Sequence, residues 1–116
     1  MTTKLSVHVG EGPEASGQRF SNAWRRAERG EAEPETHLAF ASWELLARTL
    51  TPKRLALLRH IHRQPATSIA ALARTLGREY KRVHEDVELL AAAGLLERSD
   101  GQLRADYDEI RATVAL

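Results

Sequence analysis

Two amphipathic segments separated by a glycine constrain this fold more than any other feature of the chain. In residues 68–76, apolar side chains recur at the spacing of one helical face: Ile69, Leu72, Ala73 and Leu76. In residues 79–93 the same spacing is repeated by Val83, Val87 and Leu90. Gly77 lies between the segments, and glycine takes the positive φ of a tight turn without steric cost. The pattern predicts two helices joined by a short turn.

A third helix is expected before this pair. Thr51-Pro52 is a helix start, because threonine caps the first turn and proline suits the first helical position. Leu55, Leu58 and Ile61 then follow at helical spacing, and Gln64-Pro65 ends the segment. The sequence therefore predicts three consecutive helices between residues 51 and 93.

A β-hairpin is expected immediately after these helices. Residues 95–105 hold two short apolar stretches around Asp100-Gly101, a dipeptide strongly favoured in two-residue hairpin turns. Beyond the hairpin, Asp106 and Glu109 have the spacing of a capping box. That pair predicts a final helix in the C-terminal residues.

The first 50 residues predict a β-α-β-α arrangement. Residues 4–10 alternate between apolar and polar, as a half-buried strand does. A helix follows that ends at Gly30, and its apolar face consists of Phe20, Ala23, Trp24 and Ala27. After an acidic linker, residues 36–40 form a second strand, and Ser42 caps a short helix. Pairing of the two strands within one chain or across a dimer is equally compatible with this pattern.

Charge is segregated along the chain, although the formal net charge is only +1. Between residues 52 and 81, Glu79 is the only acid among seven basic residues: Lys53, Arg54, Arg59, Arg63, Arg74, Arg78 and Lys81. After Val83 acids outnumber bases. A local positive field on a helical unit is typical of a surface that binds a polyanion such as DNA.

These residues resemble a known family. Ala73 and Gly77 have the four-residue spacing of the small residue and the turn residue in a helix-turn-helix. With the hairpin, residues 50–105 resemble the winged helix-turn-helix transcriptional regulators of the MarR and ArsR type. The segments LTPKRLALLRHI and VHEDVELLAAAGLLER resemble more closely a family of small bacterial and archaeal predicted regulators. Some members of that family look like the antitoxin half of toxin–antitoxin gene pairs.

The resemblance implies a mainly α fold with small β content, a winged helix-turn-helix carrying an N-terminal β-α-β-α extension. Residues 1–50 would dimerise or bind a partner, and residues 51–116 would form the DNA-binding domain with its C-terminal helix. The implied function is a sequence-specific transcriptional regulator, a cytoplasmic homodimeric repressor that binds double-stranded DNA. If the chain is an antitoxin, it would regulate its own gene and hold its toxin through residues 1–50.

By the same resemblance, residues 79–93 form the recognition helix. Its outward side chains would read guanine through Arg or Lys and cytosine through Glu85, while Ser68 and the hairpin would meet the backbone. Tyr80 fits either the core or a phosphate contact. The expected DNA-binding residues are Ser68, Arg78, Tyr80, Lys81, Arg82, His84, Glu85, Arg98, Gln102 and Arg104. Further phosphate neutralisation is expected from Lys53, Arg54 and Arg63.

The aromatic residues of the N-terminal part have two interpretations. Trp24 and Trp43 are either packing anchors or parts of a dimer or partner interface, since aromatic residues are enriched at interfaces. The predicted interface set is Phe20, Trp24, Leu38, Phe40 and Trp43.

Other function classes find little support. Cysteine is absent, His60 and His62 do not share a helical face, and no nucleophile motif or phosphate-binding glycine loop occurs. We therefore expect no enzyme, cofactor or metal, and no membrane partner because no apolar run is long enough. The alternative is a protein–protein adaptor that keeps a winged-helix frame without binding DNA. This alternative is favoured by the acids that follow Val83 and by Glu79 at the start of the helix.

Overall fold

A computed structural model describes residues 3–30 and 35–116 of the chain. The elements run in the order β1 (Lys4–Val9), α1 (Pro13–Glu28), β2 (Glu35–Phe40), α2 (Trp43–Thr49), α3 (Pro52–Arg63), α4 (Ile69–Leu76), α5 (Tyr80–Ala92), β3 (Glu97–Ser99), β4 (Gln102–Arg104) and β5 (Glu109–Val114). The fold is mixed α/β, with more of the described residues in helices than in strands.

The chain divides into two compact units. The first comprises Met1–Leu46 and Tyr107–Leu116, and the second comprises Ala47–Asp106. The sequence instead predicts a single division of the chain, after residue 50. The C-terminal residues, however, belong with the N-terminal part of the chain and not with the helices that precede them.

The first unit is built on a three-stranded sheet in the order β2-β1-β5, with both neighbouring pairs parallel. The predicted β-α-β-α order is confirmed, and β1 and β2 pair within one chain. Parallel pairing requires a crossover between the strands, which α1 supplies. On β1 the alternation is as predicted: Leu5, Val7 and Val9 are buried, and the polar residues between them are half-buried.

The predicted C-terminal helix is wrong, because those residues form strand β5 beside β1. The expected cap, Asp106, instead has its Oδ1 3.4 Å from Arg104 Nε. Next along the chain, the Asp108 backbone N–H donates to the Thr3 carbonyl oxygen at 2.8 Å, and the Asp108 carboxylate accepts from the Thr3 N–H at 3.1 Å. Ile110 and Val114 stand in the alternation of a strand, with the paired residues of β1 on the same side. Pairing with a distant strand outweighs the local resemblance to a capping box.

The second unit follows the sequence signals closely. Thr51 Oγ1 accepts from the Arg54 N–H at 3.4 Å at the start of α3, and Ser68 Oγ accepts from the Ala71 N–H at 3.0 Å at the start of α4. Gly77 ends α4 with a φ of 64°. The predicted caps coincide with observed helix ends, and the three predicted helices are confirmed.

The predicted hairpin is confirmed as the antiparallel pair β3 and β4. Asp100 and Gly101 have φ values of 51° and 74°, the positive values that a tight two-residue hairpin turn requires. Ala66, between α3 and α4, bridges to Leu103 through N–H···O bonds of 3.1 and 2.8 Å. The hairpin is thereby attached to the helical part of its own unit.

The core of the second unit comes from all three helices and the hairpin. Its buried apolar side chains are Leu57, Leu58, Ile61, Ala66, Leu72, Ala73, Val83, Val87, Leu90, Leu95, Leu96, Leu103 and Ala105. The predicted face of α5 is fully buried, whereas the predicted core residues Leu55, Ile69 and Leu76 are only half-buried. Within the described ranges, no helix is long and apolar enough to cross a membrane.

Candidate functional site

The first turns of α5 present a polar, charged surface opposite the buried stripe of that helix. Lys81, Arg82 and Glu85 are exposed, as their helical positions predict. Tyr80 is 53% exposed and therefore does not belong to the core. Its ring lies 5.9 Å from the His84 ring, measured between centroids. These side chains are available to a partner at the start of the helix.

Glu79 is the residue that precedes α5, and its side chain makes no capping hydrogen bond. Its carboxylate lies 3.9 Å from Arg82 Nε, and both side chains are largely exposed. A solvent-exposed pair of this kind contributes at most about 1 kcal/mol. Arg82 can therefore leave Glu79 for a stronger anion at small cost.

Arg78 does not face outward, so its predicted place on the exposed side is wrong. Its Nη2 donates to Asp86 Oδ2 at 2.7 Å, and the side chain is largely buried. Arg78 precedes the helix, and helical rotation does not describe a residue in the turn. An inward ion pair therefore determines its direction.

Asp86 is the site residue that the sequence reasoning missed. It is only 8% exposed, and its other oxygen accepts from Arg54 Nε at 3.0 Å. Arg54, an expected phosphate contact, is thus held inside the protein together with Arg78. The available signal was the position of Asp86 three residues after Val83, which places it on the buried face of α5.

The two predicted arginines of the hairpin are close to acidic partners. Arg98 pairs with Glu88, which also lies 3.7 Å from His84 Nε2. Arg104 Nε lies 3.4 Å from Asp106 Oδ1, and Arg104 Nη1 lies 3.5 Å from Gln102 Oε1. Arg98 is exposed, whereas Gln102 and Arg104 are half-buried. The hairpin therefore offers a weaker positive surface than α5.

Further exposed basic side chains lie on the helices of the second unit. Arg63 Nε donates to the Arg59 carbonyl oxygen at 3.3 Å, which leaves its terminal nitrogens at the surface. Ser68 is exposed at the start of α4 while it caps that helix. The exposed basic side chains on α3, α4 and α5 are Lys53, Arg59, Arg63, Arg74, Lys81 and Arg82.

The predicted interface set of the N-terminal part is brought only partly to the surface. Phe20, Trp24 and Trp43 are 71%, 60% and 54% exposed, so neither tryptophan is a packing anchor. Leu38 is half-buried. Phe40 is buried in the core, which corrects its assignment to an interface. Trp24 Nε1 also donates to Glu28 Oε1 at 2.7 Å, one turn further along α1.

The remaining titratable side chains that make close contacts lie mainly in the first unit. No group of three or more His, Cys, Asp or Glu side chains there is placed to hold a metal ion. His8 Nε2 and His37 Nδ1 are 2.9 Å apart on neighbouring strands, and Glu11 lies 3.5 Å from His8 Nδ1. Burial raises the pKa of Tyr107 from 10.0 to about 12.

The chain is thus a mixed α/β protein in which the basic side chains of Lys81 and Arg82 are exposed at the start of α5. The model of the HVO_A0114 family matches residues 49–112, which is more than half of the chain. The chain therefore belongs to the HVO_A0114 family. No curated protein and no solved structure matches it.

Proposed function

We propose that this chain is a sequence-specific DNA-binding transcriptional regulator whose second unit is a winged helix-turn-helix of the MarR and ArsR type. In this proposal α4 and α5 form the helix-turn-helix, and the β3–β4 hairpin is the wing. The observation that carries the proposal is the exposed Lys81 and Arg82 on the first turns of α5, opposite its buried Val83 and Val87. A helix with this arrangement can enter the major groove with its N-terminal turns.

The exposed residues suit both parts of DNA recognition. Lys81 and Arg82 can donate to guanine O6 and N7, and Glu85 can accept from cytosine N4. The exposed cations Lys53 and Arg63 would neutralise phosphates, which supplies affinity that does not depend on sequence. The exposed Glu88, further along the helix, would keep the later turns of α5 away from the duplex.

We further propose that the regulator acts as a homodimeric repressor. Two copies would read a palindromic site, and the exposed aromatic residues Phe20, Trp24 and Trp43 suit the contact between them. An antitoxin of this build would use the same aromatic surface to hold a toxin.

The function is tested with the double variant Lys81→Ala, Arg82→Ala. A duplex selected by the wild-type protein from a random pool serves as the probe, and fluorescence anisotropy gives the dissociation constant. Each side chain that contacts a base contributes about 1–3 kcal/mol, so the two changes together should weaken binding at least about tenfold. Thermal stability should stay unchanged, because both side chains are exposed.

The matched control is Arg25→Ala, Arg26→Ala, which removes the same charge from exposed positions on α1. This control should bind within about twofold of the wild type. Binding by the wild type should also weaken steeply as salt rises, because each phosphate contact releases counterions. Equal affinity of the Lys81/Arg82 variant and the wild type would contradict the proposed recognition helix.

An adaptor that binds protein through a winged-helix frame is the second candidate. It is favoured by the exposed carboxylate of Glu79 at the start of α5, where it would repel a phosphate. The selection experiment separates the two candidates, because an adaptor would enrich no duplex from the pool.

A further inference from the structure

A carboxylate with little solvent access divides the basic residues of the second unit into two groups. Asp86 lies on α5 among buried side chains, and each of its oxygens accepts a hydrogen bond from a different guanidinium. Arg54 and Arg78 are directed inward by these bonds. Lys81 and Arg82 remain exposed on the same helix.

The two arginines approach Asp86 from different elements. Arg54 lies in the first turn of α3, and Arg78 lies in the turn between α4 and α5. Arg54 Nη1 also donates to the carbonyl oxygens of Arg48 at 2.7 Å and Thr49 at 3.3 Å. One carboxylate therefore joins α3, the turn and α5, and its second arginine extends the connection to the end of α2.

The inward position of Arg78 depends on this carboxylate. Its Nη1 is buried and has no hydrogen-bond partner among the described residues. A buried donor without a partner is unfavourable, so the bond from Nη2 to Asp86 must offset that cost. Without the carboxylate, we expect the Arg78 guanidinium to turn toward solvent.

We propose that Asp86 is a positioning residue of the DNA-binding surface, an inference that rests on the proposed function. Its carboxylate fixes the start of α5 and withdraws Arg54 and Arg78 from the phosphate backbone. Specificity is the ratio of specific to non-specific binding, and non-specific binding is almost entirely a matter of phosphate contacts. Asp86 therefore raises specificity by lowering the number of cations available to any duplex.

The first test is Asp86→Asn, with the selected duplex and an unrelated duplex of equal length as probes. Binding to the unrelated duplex should strengthen, and its salt dependence should steepen by about one to two units of slope as the released arginines reach phosphates. The ratio of the two affinities should fall at least about tenfold. Glu44→Gln, which removes an exposed carboxylate on α2, should leave slope and ratio unchanged.

A second comparison remains decisive if Asp86→Asn does not fold. Arg78→Met and Lys81→Met each remove one positive charge, from positions three residues apart. Lys81→Met should reduce the salt slope by about one, because an exposed phosphate or base contact is lost. Arg78→Met should leave the slope at the wild-type value, since its guanidinium faces Asp86 and not the duplex.

The outcomes separate this inference from the proposed function. Equal salt slopes for Arg78→Met and Lys81→Met, both below that of the wild type, would overturn the inference and leave DNA binding intact. An unchanged slope and ratio in folded Asp86→Asn would do the same. Failure of the wild type to enrich any duplex would overturn the proposed function and, with it, the role of Asp86.

Discussion

Two consecutive acids on α5 differ in whether they face the solvent or the interior of the protein. Glu85 is exposed, whereas Asp86 faces the interior and holds Arg54 and Arg78. Helical geometry turns consecutive side chains by about 100°, which is enough to change an acid from a surface group to a buried partner. The chemical identity of a residue therefore says less about its role here than its position on the helix.

Tyr107 permits a test of burial in the first unit through pH. Its pKa is raised to about 12 in the folded chain, so the unfolded chain releases the phenol proton first as pH rises. The phenol's contribution is fully present below about pH 10 and is lost as pH rises through 12. Tyr107→Phe should therefore weaken the dependence of the free energy of unfolding on pH between 10 and 12.

Urea unfolding monitored by circular dichroism at several alkaline pH values measures this dependence. Tyr80→Phe is the control, because it removes an exposed phenol and should retain the wild-type slope. The same slope in Tyr107→Phe and the wild type would show that the phenol at position 107 does not resist ionisation.

Two glycines, one at the end of a helix and one inside a helix, supply predictions of opposite sign. Gly77 ends α4 with a φ of 64°, and Gly17 lies inside α1. A Cβ at either position would meet no atom within 4 Å, so only backbone conformation distinguishes them. Gly77→Ala should lower the free energy of unfolding by about 1 kcal/mol, and Gly17→Ala should raise it by about 0.5–1 kcal/mol.

Chemical denaturation of the two variants and the wild type gives these differences directly. A loss of stability in Gly17→Ala would contradict the gain expected from reducing the backbone freedom of the unfolded chain. Equal stability of Gly77→Ala and the wild type would mean that the turn before α5 can relax without its left-handed residue.

Elements with local signals could be predicted from the sequence. Thr51-Pro52, Ser68 and Gly77 mark helix ends, and Asp100-Gly101 marks the hairpin, so the order from α3 to β4 follows from neighbouring residues alone. Strand β5 could not be predicted in this way. It pairs with β1, and a contact between the two ends of a chain leaves no signal in either segment by itself.

In the candidate site, too, some side-chain directions follow from local sequence and others depend on a distant partner. Lys81, Arg82 and Glu85 lie on a regular helix, so their outward direction follows from the spacing of the core residues. The directions of Arg54 on α3 and of Arg78 in the turn before α5 depend instead on hydrogen bonds to Asp86 on α5. The spacing of the core residues can place Asp86 on the buried face of α5, but it does not show which cations reach that carboxylate.

At the scale of the whole molecule, one unit is inserted into the chain of the other. The first unit ends at Leu46 and resumes at Tyr107, and its sheet joins strands from both ends of the sequence. The match to the HVO_A0114 family covers residues 49–112 and thus the whole of α3 to β4. A boundary drawn from sequence alone separates β5 from the sheet that it completes.

The proposed homodimer depends on apolar surface that the monomer leaves exposed. Phe20 and Trp24 are one turn apart on α1, so they share a face of that helix. Burial of such aromatic side chains against a second copy would remove a large apolar area from water. Phe20→Ser, Trp24→Ser should therefore shift the protein from dimer to monomer at micromolar concentration, as measured by sedimentation velocity.

The control for this shift is Leu45→Ser, an exposed apolar position on α2, which should sediment as the wild type does. Because two copies bind a palindromic duplex together, the monomeric variant should also bind the selected duplex at least tenfold more weakly. A wild type that sediments as a monomer would contradict the homodimer. A dimer that survives both serine substitutions would place its interface away from this face of α1.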